Sequence, residues 1–441
     1  MDSAELAELD RSHLWHPFTQ QQGWLTEDAP IIRTASGCTL TDVEGNDFID
    51  GVSSLWCNVH GHRHQAIDRA IAEQLERVAH STMLGLSHEP AIELAERLVE
   101  IAPERLTRVF YSDSGSTATE IALKIAFQHH QQSGATKRTR FLTLKDAYHG
   151  DTLGAVSAGG IDLFHEAYRP LLFDTLKVTP GDADELNAAF AAHGGELAAV
   201  IMEPLVQGAA GILVQPPGYL AAVRELCDEH GVLLILDEVA TGFGRTGTMF
   251  ACEQEEVEPD LLCLAKGLTG GYLPLAATLA SEQIYRSFLG EHDEYRTFFH
   301  GHTYTGNPLA CAAALASLDL FEQERTLEHV AELSALLGRL LEPLTGSARV
   351  AEVRRCGLMV GIELAGFPLA ARAGHRVTLA ARHRGAIIRP LGDTVVLMPP
   401  LAISAAELTR LVEITIEAID EVVADADARG ETAIERQRVS V

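Results

Sequence analysis

The chain predicts an α/β protein built on a mainly parallel sheet, with a ligand crevice at the carboxyl ends of its strands. Three observations carry that prediction. Val232-Leu233-Leu234-Ile235-Leu236 is too short to span a membrane and aliphatic enough for a strand buried on both faces, and Asp237 ends it. Leu261-Leu262-Cys263-Leu264-Ala265 repeats the pattern, and Lys266 ends it. Val109-Phe110-Tyr111-Ser112 runs through a Ser/Gly turn into a helix that carries Ile121, Ala122, Ile125 and Ala126 on one face. Open α/β sheets bind ligands beyond the ends of their strands, so an acid and an amine are expected in one crevice.

Taken in order, the 441 residues begin with MDSAELAELDRSH, which is acidic and lacks the apolar core of a signal peptide. No apolar run reaches the length of a spanning helix. The net charge of −28 argues against nucleic acid or an anionic membrane as partner. Seven scattered cysteines without a C-x-x-C pair suit reduced thiols, and a cytoplasmic location is expected. Residues 13 to 20, HLWHPFTQ, combine a backbone-fixing proline with rigid aromatics, either as an arm over a pocket or as a packing segment. Thr39 to Ile49 reads as a hairpin around Glu44-Gly45-Asn46. Ile67, Ala70, Ile71, Leu75 and Val78 follow a helical period, as do Ile92, Ala95, Leu98 and Val99. His60, His62 and His64 alternate with no cysteine or carboxylate beside them, and no metal is expected there.

The turn after Val109 to Ser112 leaves unpaired backbone N–H groups at a helix start, where the dipole adds positive potential. A phosphate fits that position, with Gly115 allowing close approach and Ser116 adding a hydroxyl, although an ordinary Ser/Gly cap would read the same. No G-x-x-x-x-G-K-[ST] motif is present. Phe141 to Leu144 is a strand leading to Tyr148-His149-Gly150-Asp151, and Ala198 to Met202 is another, leading to Glu203-Pro204.

Lys266 stands out by composition. The chain has five lysines against 29 arginines, and arginine cannot shed its proton to become a nucleophile. A lysine desolvated at a strand end can, and can form a Schiff base with an aldehyde; a solvated strand-end lysine is the plainer alternative. Gly242-Phe243-Gly244-Arg245-Thr246-Gly247 matches the dinucleotide fingerprint, but it neither follows its strand directly nor opens an amphipathic helix. A nicotinamide oxidoreductase is therefore the weaker alternative.

Residues 309 to 344 read as long helices, with Leu327, Val330, Leu333, Leu336, Leu337 and Leu340 in register. Leu358, Val360, Ile362 and Leu364 alternate like a strand, and Leu408, Leu411, Val412, Ile416, Ile419 and Val423 mark a last helix. Together with the N-terminal segment they predict a small α+β lobe. In it Ile387-Ile388-Arg389-Pro390 is expected to place a guanidinium at a strand end, suited to a carboxylate.

The Asp-Glu-Val-x-x-Gly-Phe-Gly-Arg-Thr-Gly segment from Asp237 to Gly247, with Ala265-Lys266-Gly267 and Gly270-Gly271, resembles the class III aminotransferases, fold-type I enzymes that use pyridoxal phosphate. The resemblance implies a large domain with a mainly parallel seven-stranded sheet plus a smaller α+β domain. The expected division is 1–60 for the N-terminal arm and part of the small domain, 61–325 for the cofactor-binding domain, and 326–441 for the C-terminal small domain. It implies that Lys266 carries the cofactor and moves the proton, and that Asp237 pairs with the pyridine nitrogen. Gly115 and Ser116 would hold the phosphate, Tyr148 would stack on the ring and border the substrate, and Glu203 would touch the cofactor environment. The His300 to Pro308 loop resembles one that reaches the cofactor phosphate of a neighbouring subunit, so Gly301, His302 and Thr303 imply a homodimer with a shared active site.

HLWHPFTQ, Ser53-Ser54-Leu55-Trp56 and His60-Gly61-His62 resemble more narrowly the branch of that family that serves biotin synthesis, converting 8-amino-7-oxononanoate to 7,8-diaminononanoate. That implies substrate contacts from Phe18, Leu55 and Trp56, with Arg389 on the oxononanoate carboxylate and Arg245 on the donor's carboxylate. The expected donor is S-adenosylmethionine. Phe18 in place of tyrosine, Leu55 in place of tryptophan and His302 in place of proline resemble the branch that uses lysine, which is the alternative donor. A general ω-amino acid or diamine transaminase is the remaining alternative within the family.

Overall fold

The computed structural model describes residues 1–347 and 349–431. After an exposed helix, Ser3–His13, the chain forms strands β1 (Ile32–Ser36), β2 (Thr39–Asp42) and β3 (Asp47–Asp50). They make an antiparallel meander, and β2 and β3 are the expected hairpin. The central strands are β4 (Leu106–Ser112), β5 (Arg140–Leu144), β6 (Leu176–Val178) and β7 (Leu197–Met202), followed by a small ribbon, β8 (Val206–Gln207) with β9 (Leu213–Val214). Then come β10 (Leu233–Asp237), β11 (Leu261–Leu264) and β12 (Ala276–Ser281).

A seven-stranded sheet runs β4-β12-β11-β10-β7-β5-β6, in which β12 lies antiparallel to both its neighbours and the other pairs are parallel. The continuous apolar runs follow from burial of both faces. Leu234, Leu236, Leu262 and Leu264 enter one core, whereas Leu233, Ile235, Leu261 and Cys263 enter the opposite one. Helix Gly115–Gln132 covers that second face with Ala118, Ile121, Ala122, Ile125 and Ala126.

The C-terminal part begins with helices Pro308–Gln323 and Thr326–Leu341. Strands β13 (Val350–Cys356), β14 (Met359–Leu364), β15 (Ala386–Ile387), β16 (Arg389–Leu391) and β17 (Thr394–Leu397) follow, with the long closing helix Ala405–Ala428. Four of these strands form the sheet β13-β14-β17-β16, and β15 instead joins β3 in parallel, so chain start and chain end share one sheet. Arg389 opens β16 rather than ending a strand, because Ile388 marks the step from one small sheet to the other. No helix among the described residues is long and apolar enough to cross a membrane.

Candidate active site

The carboxyl ends of β4, β5, β7, β10 and β11 open on one cavity of about 730 Å³. Gly115, Ser116, Tyr148, Glu203, Asp237 and Lys266 all line it, as does Trp56 from the N-terminal region. Parallel strands deliver their following loops to the same sheet edge, which is why positions so distant in sequence converge.

Ser114 caps helix Gly115–Gln132, accepting from the Thr117 N–H at 3.3 Å. That cap serves the third residue of the helix, and among the described residues the N–H groups of Gly115 and Ser116 have no acceptor. They face an anion-sized gap at the positive end of an 18-residue helix. A Cβ on Gly115 would stand 2.5 Å from Val239 Cγ1, so only glycine permits this approach of helix and strand end. Ser116 Oγ accepts from the Thr152 N–H at 2.9 Å, tying the next loop to the helix start.

Asp237 is buried at the end of β10. Its Oδ1 accepts from the Val239 N–H at 3.1 Å and its Oδ2 faces His149 Nδ1 at 2.8 Å. A carboxylate only accepts, so His149 Nδ1 carries the proton. Glu203 accepts from the N–H groups of Tyr148 (3.2 Å) and Gly208 (2.8 Å), which fixes the Tyr148 loop against β8. Burial pushes its carboxyl up to about 7, and Asp237 adds to the rise against the pull of His149. Tyr148 Oη donates to Asp151 at 2.6 Å; burial and that carboxylate raise the phenol.

Lys266 opens a 3₁₀ turn with φ of 46°, a left-handed conformation uncommon outside glycine, asparagine and aspartate. Desolvation lowers its amine below the usual lysine value, while Asp237 and Glu203 hold it up. Its Nζ lies 4.9 Å from the Trp56 ring centre. Trp56 itself is buried, and its Nε1–H has no partner among the described residues.

Pyridoxal phosphate fits this donor set. Free helix-start N–H groups and the Ser116 hydroxyl suit its phosphate, the buried Asp237 suits a protonated ring nitrogen, and the depressed amine of Lys266 suits its aldehyde.

Other expected site residues lie elsewhere. Arg389 does not line the cavity; it is partly buried close to Tyr148, burial lowers its pKa, and among the described residues it has no ion-pair partner. Arg245 is not among the residues that line the cavity. It is buried, and its guanidinium donates to Pro399 O, to Ser53 Oγ (3.2 Å) and to Asn58 O (3.2 Å). Burial brings it down to about 10. Three of its five N–H donors tie the N-terminal turn to the C-terminal segment. Phe18 and Leu55 are exposed and outside the cavity, as are Gly301 and Thr303. His302 also lies outside it, with a buried Nε2 that has no partner among the described residues. The sequence reading does not name His149, Asp151 or Thr152 as site residues; the first two sit in the quoted Tyr148–Asp151 motif and Thr152 follows it, but only the fold turns His149 toward Asp237 and Thr152 toward Ser116. The three alternating histidines are spent on protein partners: His60 on Ser317, His62 on Asp50, His64 on Glu324.

Comparison with known proteins bears on the same site. The family model "Aminotransferase class-III" matches residues 26–419. A relative from Nitratidesulfovibrio vulgaris, named adenosylmethionine-8-amino-7-oxononanoate aminotransferase, is 58% identical over 93% of this chain and 80% of its own length. The crystal structure of the protein of that name from Methanocaldococcus jannaschii superimposes with a TM-score of 0.94 at 44% identity, covering 95% of this chain and 99% of that one. An amine transaminase from an uncultivated Pseudomonas species, solved with pyridoxal phosphate bound, gives a TM-score of 0.89 at 37% identity over 93% and 99% of the two chains. With the family matched over most of its length and the cavity furnished for the cofactor, this chain is a pyridoxal-phosphate enzyme and belongs to the class-III aminotransferases.

Proposed function

We propose that the chain transfers an amino group to the ketone of 8-amino-7-oxononanoate, giving the 7,8-diaminononanoate of biotin synthesis, with S-adenosylmethionine as donor. The observation that carries this reading is the 58% identity to a relative named for that reaction, across 93% of the chain. Pyridoxal phosphate, when bound, supplies an aldehyde that takes up the amine and a ring that spreads the negative charge of the reacting carbon. Lys266 Nζ is the group that would hold that aldehyde, and its depressed amine would serve as the base and acid that move the proton at the donor α-carbon. Asp237, oriented by His149, keeps the ring nitrogen protonated. Gly115 and Ser116 hold the phosphate, Tyr148 covers the ring, and Glu203 braces the Tyr148 loop. Arg389 grips the oxononanoate carboxylate, a role supported by its lack of an ion-pair partner among the described residues.

The reading includes a homodimer. Phe299 and Tyr304, large apolar side chains within a few residues of Gly301, His302 and Thr303, are exposed, and this supports a second copy that receives that loop at its phosphate site. Phe18, Leu55 and Trp56 border the substrate in this assembly. The division into 1–60, 61–325 and 326–441 is part of the same proposal, supported by a large sheet confined to Leu106 through Ser281.

The test is a single half-reaction. The yellow enzyme is mixed with S-adenosylmethionine or with lysine, and loss of its absorbance is followed before oxononanoate is added. Bleaching by S-adenosylmethionine, then restoration by oxononanoate, is the expected result. Bleaching by lysine alone assigns the donor to the branch that Phe18, Leu55 and His302 resemble. Bleaching only by simple amines overturns the oxononanoate reading.

A further inference from the structure

The segment that carries Trp56 is under backbone strain. Ser53, Ser54 and Trp56 all have positive φ, at 52°, 61° and 63°, and Ser54 pairs its value with a ψ of −75°. For Ser54 that is the rare, strained γ-turn region, and three positive-φ positions within four residues persist only where neighbours hold them. The holder is visible. The fully buried carboxylate of Asp50 accepts from the Val52 N–H at 3.2 Å and from the Ser54 N–H at 3.0 and 2.8 Å. His62 Nε2 meets Asp50 Oδ2 at 2.9 Å, and the other ring nitrogen, Nδ1, faces the Asn58 amide Nδ2 at 3.4 Å. An amide N–H only donates, so Nδ1 accepts and Nε2 carries the proton given to Asp50. The Asp50 carboxylate is thus the common acceptor at which two sets of bonds meet, Asn58 through His62 on one side and the Val52 and Ser54 N–H groups of the strained turn on the other. Ser53 Oγ adds a bond to Met398 O at 2.7 Å.

What the turn presents is the face of Trp56 toward Lys266 Nζ, 4.9 Å from the ring centre. A buried ammonium held over an indole face is stabilised by the ring quadrupole. We infer that His62 and Asp50 are positioning residues for amino transfer: they hold the Ser53–Trp56 turn so that the Trp56 ring forms the resting place of the freed Lys266 amine while it carries the proton. The inference rests on Lys266 being the proton carrier. Neither residue touches the reacting atoms; each acts through the turn.

Two readouts test it on the full chain. The first is amide hydrogen exchange of the 50–58 segment, with and without pyridoxal phosphate. The second is the single-turnover rate of the donor half-reaction against donor concentration. His62→Ala removes the donor to Asp50. It is expected to speed exchange at Ser54 and to slow the limiting half-reaction rate about tenfold, with apparent donor affinity changed by less than about twofold. His62→Gln restores a donor and should recover much of both, and Asp50→Asn, which keeps one acceptor oxygen, should fall between. If His62→Ala does not fold, the His62→Gln and Asp50→Asn pair carries the same comparison. Unchanged exchange in both His62→Ala and Asp50→Asn overturns the hold of Asp50 on the turn. Faster exchange with an unchanged limiting rate makes the turn mere scaffold and overturns the positioning role. Lys266→Ala with turnover intact would instead remove the role of Lys266 while leaving the exchange result standing, so the two failures are separable.

Discussion

Gly150→Ala tests the construction of the phosphate end of the cavity. Gly150 has φ of +111°, and a Cβ there would lie 2.3 Å from both Cβ and Oγ of Ser116 and 2.6 Å from its Cα. Ser116 cannot swing aside, because its Cα belongs to the first turn of helix Gly115–Gln132 and its Oγ is bound by the Thr152 N–H at 2.9 Å. The backbone conformation costs about 1–3 kcal/mol for a non-glycine residue, and overpacking adds about 1–3 kcal/mol. In the Gly150→Ala chain the added Cβ is expected to displace the Tyr148–Thr152 loop from Ser116 when no cofactor is bound. Binding must push it back, so the cost appears in cofactor affinity. Even about 2 kcal/mol of it weakens pyridoxal phosphate binding about thirtyfold. The assay is titration of dialysed enzyme with pyridoxal phosphate by absorbance, with thermal melts of the cofactor-free chain run beside it to separate folding from binding. Wild-type affinity in a folded Gly150→Ala chain would refute the placement of the phosphate between Ser116 and this loop.

Two further expectations follow from the same geometry. Arg389→Ala removes charge-assisted hydrogen bonds to the acceptor carboxylate, each worth about 1.5–3 kcal/mol; kcat/KM for oxononanoate should fall at least tenfold while the donor half-reaction keeps its rate, and equal losses in both halves would contradict the assignment. Glu203 has a folded pKa of about 7 against 4.5 in a free chain, so the folded state keeps a proton that the unfolded state has given up across that window. The contribution of Glu203 to wild-type stability therefore declines as pH rises from 4.5 to 7. Glu203→Gln does not titrate, so its stability relative to wild type should improve by up to about 3 kcal/mol across the window, read by urea unfolding of the cofactor-free enzyme. A gap that does not change with pH would show that folding leaves the Glu203 carboxyl at its ordinary pKa.

The strands and the residues that end them were legible because their physics is local. An unbroken aliphatic run such as Leu233 to Leu236 has no polar face to leave in water, so it must lie inside a sheet covered on both sides, and the residue after it must emerge at an edge. The face of helix Gly115–Gln132 was written in the spacing of Ile121, Ala122, Ile125 and Ala126 for the same reason. Composition singled out Lys266, since so few lysines remain in a chain that otherwise uses arginine.

Partnership was not legible, because a hydrogen bond depends on where two distant segments meet. Arg245 sits in a glycine-rich motif that suggests an anion, yet the fold surrounds its guanidinium with Pro399 O, Asn58 O and Ser53 Oγ. Arg389 had the expected chemistry but opens a strand rather than ending one, because the chain changes sheets at Ile388. His62 entered the sequence reading as part of a family motif and of a triplet not expected to bind metal, and only the fold set it against Asp50. The sequence alone determined which elements form and which two reactive groups stand at their ends, since hydrophobic period and strand polarity act over a few residues. Tertiary structure alone decided that His149 orients Asp237, that Glu203 braces Tyr148 and that Asp50 holds Trp56 over Lys266, since each pairing joins segments that meet only once the sheets are assembled.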